Sequence, residues 1–241
     1  MSKSTEKIGF FTFLSFFLFV FSFAVCGEAY AHQPVIAGMN SAISVKDPEI
    51  SKAYYGVLAG QPAIYTIKSV KPFELYVNLL VPNVSNAKTD FSLEIEKDGV
   101  SIQRLYGPDF FWMDFYEPFG DDYYLKGPEF ESQAEPGLYT IKVYSQSNTG
   151  KYALAVGKTE KFGLLETVAA LRAMPAVKKD FFGQSPWMAY NNYTGLAVFI
   201  FLVMSGLLVY FMAAFFKRRQ VRIELDREYK KADAASKNDA G

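Results

Sequence analysis

The sequence predicts an all-β fold, an antiparallel β-sandwich of jelly-roll type, followed by a short juxtamembrane helix and one C-terminal transmembrane helix. Between two long apolar runs the hydrophobic pattern has a period of two, broken by turn residues every 8 to 15 positions. No helical segments alternate with those strands, so the layers are sheet on sheet. From Gly195 to Phe216 the chain carries 22 residues without a charge, which as a helix rise about 33 Å and suffice to cross a hydrocarbon core.

The ends of the chain set its expected topology. Lys3 and Lys7 precede an apolar run from Ile8 to Val25, and Ala29-Tyr30-Ala31 follows it, the order of a secretory signal peptide. Cleavage after Ala31 makes His32 the first mature residue; an uncleaved signal anchor is the alternative. The sole cysteine, Cys26, lies in this segment beside bulky Val25, which disfavours a lipoprotein site. Lys217, Arg218 and Arg219 follow the second run and place that end in the cytoplasm. Trp187, Tyr190 and Tyr193 precede it and suit the outer interface. The expected location is therefore the cell membrane, single-pass, with residues 32–161 extracytoplasmic, 162–194 a connector, 195–216 the span and 217–241 a cytoplasmic tail. Net charge is zero, and the expected exported part is mildly acidic, which excludes a basic nucleic-acid surface.

Eight strands are expected: Ile43 to Lys46, Ala53 to Leu58, Ala63 to Ser69, Phe73 to Val81, Phe91 to Lys97, Ser101 to Tyr106, Leu138 to Ser145 and Lys151 to Gly157. Asp98-Gly99 is the strongest hairpin signal, since a type I′ turn needs positive φ that Asp and Gly tolerate. Gly137-Leu-Tyr139-Thr-Ile141-Lys-Val143 is echoed by Gly150-Lys-Tyr152-Ala-Leu154-Ala-Val156. The two segments read as a closing antiparallel pair, with Tyr139 and Tyr152 in the core. The order Tyr55-Gly56-Val-Leu58, Ile64-Tyr65-Thr-Ile67, Leu75-Tyr-Val77-Asn-Leu79, Phe91-Ser-Leu93-Glu-Ile95 and the closing Gly-x-Tyr pair resembles the bacterial pre-peptidase C-terminal domain. That resemblance covers about Ala53 to Gly157 and implies a small sandwich serving as an accessory module; it supplies no catalytic residue. The layout also resembles bacterial single-pass membrane proteins whose mature chain begins His-Gln-Pro.

After the sandwich, Leu164 to Ala173 has helical spacing and is stopped near Pro175. Its apolar side rests either on the domain's own underside or on the membrane surface or a partner. Lys178, Lys179, Phe181 and Phe182 favour a connector close to headgroups. The tail from Arg222 is expected to extend the helix briefly and then lose structure.

Chemistry is sparse. With one histidine and no mature cysteine there is no Cys-His pair or His-rich zinc site, so the chain reads as no enzyme and no cofactor is expected. The segment Gly107 to Phe130 interrupts the strand rhythm as a long loop, and such loops often carry function. Asp109, Asp114, Glu117, Asp121 and Asp122 offer the oxygen ligands that Ca²⁺ needs. Trp112, Phe115, Tyr116, Tyr123 and Tyr124 offer an aromatic surface for a protein or a glycan; the plainer alternative is that they plug the end of the sandwich. His32, as a mature N-terminus, offers one chelate arm for Cu²⁺. The expected function is a non-enzymatic, membrane-anchored binding module, an accessory or interaction subunit of a membrane or envelope complex, with the bilayer and a membrane or envelope protein as partners. A Ca²⁺- or glycan-binding module using residues 107–130 is the alternative.

Overall fold

A computed structural model describes residues 32–40, 42–161 and 163–238; the expected leader, its cleavage site and Cys26 lie outside the described residues. Two compact units divide the chain between Gly195 and Leu196.

The first unit contains eleven strands: β1 (Gln33–Met39), β2 (Ala42–Ser44), β3 (Lys52–Ala59), β4 (Ala63–Ser69), β5 (Phe73–Pro82), β6 (Ser92–Lys97), β7 (Val100–Leu105), β8 (Met113–Glu117), β9 (Asp122–Ala134), β10 (Gly137–Tyr144) and β11 (Thr149–Val156). They form two facing sheets, ordered β1-β3-β11-β5-β9-β8 and β2-β4-β10-β6-β7. Each of the eight expected strands falls on β2 to β7, β10 or β11, with ends within two residues. Asp98 and Gly99 both take positive φ between β6 and β7, as the tight hairpin requires. The sheets are mixed rather than purely antiparallel, because β1 joins β3 and β2 joins β4 in parallel, each at a sheet edge.

The closing echo is not a strand pair. β10 lies between β4 and β6, whereas β11 lies between β3 and β5 in the other sheet. Tyr139, Ile141 and Val143 face Tyr152, Leu154 and Val156 across the core instead, so the repeated pattern marks two inner faces that pack on each other. Within that core the Tyr65 and Tyr152 hydroxyls share a 2.8 Å hydrogen bond, which satisfies two buried polar groups. Gly56 leaves room for the Tyr152 ring, since a Cβ there would sit 2.5 Å from its hydroxyl oxygen.

The outer face of the six-stranded sheet is also buried. Tyr55, Leu80, Phe115, Tyr124, Ala153 and Ala155 pack there against Val177, Phe181 and Phe182. Val177 and Phe181 begin and end a single π-helical turn, Val177–Phe181, that follows α1 (Leu164–Ala176), and Phe182 is the next residue. At Lys178, Phe181 and Phe182 the connector is buried on its own domain rather than on headgroups, because the sheet offers an apolar surface that water would otherwise cover. Gly183 closes this turn at φ +70°, the left-handed position that favours glycine.

The second unit belongs to α2, which runs from Tyr193 to Asn238. Its stretch Gly195–Lys231 is long and apolar enough to cross a membrane. The tail keeps its helix to Asn238 rather than fraying after a short extension. From Leu207 to Ala240 it contains neither Gly nor Pro and is rich in Arg, Lys, Glu and Ala, the residues that cost a helix least.

Candidate binding surface and the charged cluster beside it

The segment expected to be a long loop is a hairpin. A 3-10 turn (Gly107–Asp109) leads to β8, and β9 returns along β8 and then along β5. β9 was hidden by Gly127-Pro128, which sit opposite a register shift between Asn78 and Leu80. The Asn78 side chain donates to the Gly127 and Pro128 carbonyls at 3.3 and 3.1 Å, so the irregularity leaves neither buried carbonyl unpaired.

The hairpin divides the expected aromatic surface in two. Trp112 lies half-buried over Gly127 and donates through Nε1 to the Gly107 carbonyl at 3.1 Å. Phe115 and Tyr124 point to the outer face and join the second core, where Tyr124 shares a 2.8 Å hydrogen bond with Tyr55. These three rings are plugs. Tyr116 and Tyr123 pair across the strands on the opposite face with ring centroids 5.0 Å apart, yet they are 41% and 60% exposed. Phe111, absent from the expected set, is 87% exposed beside them in sequence, and Met113 is exposed as well. Among the described residues β8 is the terminal strand of its sheet, so one row of its backbone groups faces no described strand.

The carboxylates divide as well. Asp109 is exposed in the 3-10 turn. Asp114 is exposed on β8 and accepts from Asn83 Nδ2 at 2.8 Å, while Asp121, in the hairpin turn, accepts from the Tyr116 hydroxyl at 2.9 Å. Glu117 and Asp122 are buried opposite each other at the hairpin's end. Among the described residues no three His, Cys, Asp or Glu side chains converge as they would around an ion. The two that meet take hydrogen bonds from the protein, although Asp122 Oδ2 is buried without one among the described residues. Lys178 Nζ, itself buried, donates to Asp122 Oδ1 and to the Gly120 carbonyl, each at 2.7 Å. Glu117 accepts from the Phe119 and Gly120 amides at 2.9 and 2.7 Å.

Burial pushes the Glu117 carboxyl up to about 7, with the charge of Asp122 adding to the rise; the two amides and Lys178 oppose it. Burial also raises Asp122 against the pull of its lysine. His32 lines the same small cavity as Glu117, Tyr55 and Tyr124, which has room for about one water molecule. Its Nδ1 shares a 2.5 Å hydrogen bond with Ser51 Oγ. Burial, with the positive charge of Lys126, lowers its pKa to about 4, so the ring is neutral at physiological pH. Sequence reasoning missed the lysine, because 56 positions separate Lys178 from Asp122.

Scanned against protein families, the chain matches no family model, and no curated protein matches it. Among solved structures it is similar to the pre-peptidase C-terminal domain of a collagenase from Bacillus anthracis, at 12% identity and a TM-score of 0.27, covering 53% of this chain and 95% of that one. A β-glucosidase from Paenibacillus barengoltzii is similar at 10% identity and a TM-score of 0.22, over 51% of this chain and 12% of that one. The chain is a β-sandwich on the strength of its own strand pairing, with a C-terminal helix fit to span a membrane.

Proposed function

We propose that the protein is a non-enzymatic, membrane-anchored binding module of the pre-peptidase C-terminal kind. Its sandwich lies outside the cytoplasm and engages a protein of the same membrane or envelope complex through the β8 edge. The observation that carries this reading is the exposed Tyr116–Tyr123 pair, which joins β9 to β8, the strand at the sheet's edge among the described residues. Large rings of this kind bury much area at small entropic cost, and an open edge accepts a further strand. The basic residues after Phe216 support the orientation. A cavity with room for only about one water molecule supports a binding rather than a catalytic role.

The test is a photoreactive phenylalanine analogue at Tyr123 of the full-length protein, irradiated in native membranes. A discrete adduct with another protein is expected, absent when the same group replaces exposed Val70 on a different turn. Recovery of the monomer alone, or equal labelling from both positions, would overturn the reading.

A further inference from the structure

The outward face of α1 is apolar where a surface helix should be polar. Ala170 and Met174 are buried, while Leu165, Val168, Ala169 and Arg172 are exposed at the i, i+3, i+4, i+7 spacing of one helix stripe. Leu165 is 81% exposed. The 3-10 turn Pro186–Tyr190 is tied to α1 by a 3.0 Å hydrogen bond from the Tyr190 hydroxyl to the Leu171 carbonyl. It adds Trp187, 80% exposed, and exposed Met188 to the apolar surface.

What covers this surface follows from the length of the chain beside it. Tyr190 precedes Tyr193, the first residue of α2, by three positions, so even fully extended backbone keeps it within about 10 Å of that helix's start. Asn192 Oδ1 accepts from the Gly195 amide at 2.8 Å and so satisfies a free amide in the first turn of that helix. Trp and Tyr are the side chains that settle at the membrane–water boundary, and Arg172 at the end of the stripe matches anionic phosphates while its stem stays among apolar groups.

We infer that the Leu165–Val168–Ala169 stripe and Trp187 form a lipid-facing surface that lies in the headgroup boundary of the bilayer α2 enters. The inference rests on the membrane-anchoring part of the proposed function and is independent of the β8 edge. In this arrangement the connector does two jobs with two faces: Val177, Phe181 and Phe182 grip the sheet, and the α1 stripe rests on lipid.

The full-length protein, reconstituted into phosphatidylcholine–phosphatidylglycerol vesicles with or without bromine atoms high on the acyl chains, tests this. Trp112 and Trp187 are the two tryptophans, so the difference between the protein and Trp187→Phe reports Trp187 alone. For a side chain buried at the headgroup–acyl boundary, bromination should quench that difference by roughly half. Leu165→Gln with Val168→Gln, both at exposed positions, should weaken the quenching. Vesicle-bound protein whose Trp187 emission ignores bromination would overturn the inference and leave the anchor intact. Protein that fails to float with the vesicles would overturn both.

Discussion

Lys178 shows how a residue's role escapes its own neighbourhood in sequence. Beside Lys179 and before two phenylalanines it reads as a headgroup-seeking cation, yet its ammonium is sealed between Asp122 and the Gly120 carbonyl. Removing one partner from a buried pair strands the other. Lys178→Ala should therefore destabilise the protein by about 3–5 kcal/mol in urea titrations. Lys178→Met with Asp122→Leu should recover much of that loss, because neither member of the pair is then left charged without the other. Glu117 gives a pH dependence of definite sign. Its folded pKa is raised, from 4.5 to about 7, so its contribution is fully present below pH 4.5 and is lost as pH rises through 7. That shift is worth roughly 3 kcal/mol. His32 runs the other way: its folded pKa is lowered from 6.5 to about 4, so its contribution holds above 6.5 and fades as pH falls toward 4. The two slopes oppose each other between pH 4.5 and 6.5. Glu117→Gln should unmask the histidine, giving a protein whose melting temperature climbs with pH across that window. An unchanged profile would refute the assignment to Glu117.

At the scale of strands and helices, legibility followed the number of buried faces. Strands with one apolar side alternate plainly, and β4 fell on its expected bounds. β5 and β11 are buried on both faces over Val77–Val81 and Ala153–Val156. Those near-continuous apolar runs, interrupted only by Asn78, are the sequence trace of a second layer over the sheet, one that the connector supplies. β1 was invisible because Pro34 and Gly38 interrupt it, and both are tolerated at a sheet edge with a bulge. The pairing of β10 with β11 failed because a shared inward pattern does not say which sheet a strand joins. The cross-core arrangement makes its own prediction. Gly56→Ala would press a methyl group onto Tyr152, costing about 1–3 kcal/mol and disturbing the Tyr65–Tyr152 hydrogen bond in tyrosine near-ultraviolet circular dichroism. A substitution without effect would mean that the Tyr152 ring does not lie over Gly56 as described.

For the whole molecule, the division into a β-rich unit and an apolar helix was legible from composition and period alone, since a 22-residue uncharged run has few stable fates in water. The continuous helix of the tail was not, because charge content predicts solvation better than it predicts shape. Of the expected site, the rings that face solvent and those that plug the fold could be separated only by strand register, as Tyr123 and Tyr124 point to opposite sides of β9. The central claim is that the sandwich and the basic tail lie on opposite sides of one membrane. Exposed Val70 and Tyr229 are replaced one at a time by cysteine, in full-length protein carrying Cys26→Ser, and spheroplasts are treated with a membrane-impermeant maleimide. Labelling of Val70→Cys in intact spheroplasts, with Tyr229→Cys reacting only after permeabilisation, is the predicted result. Labelling of Tyr229→Cys with Val70→Cys protected would contradict it.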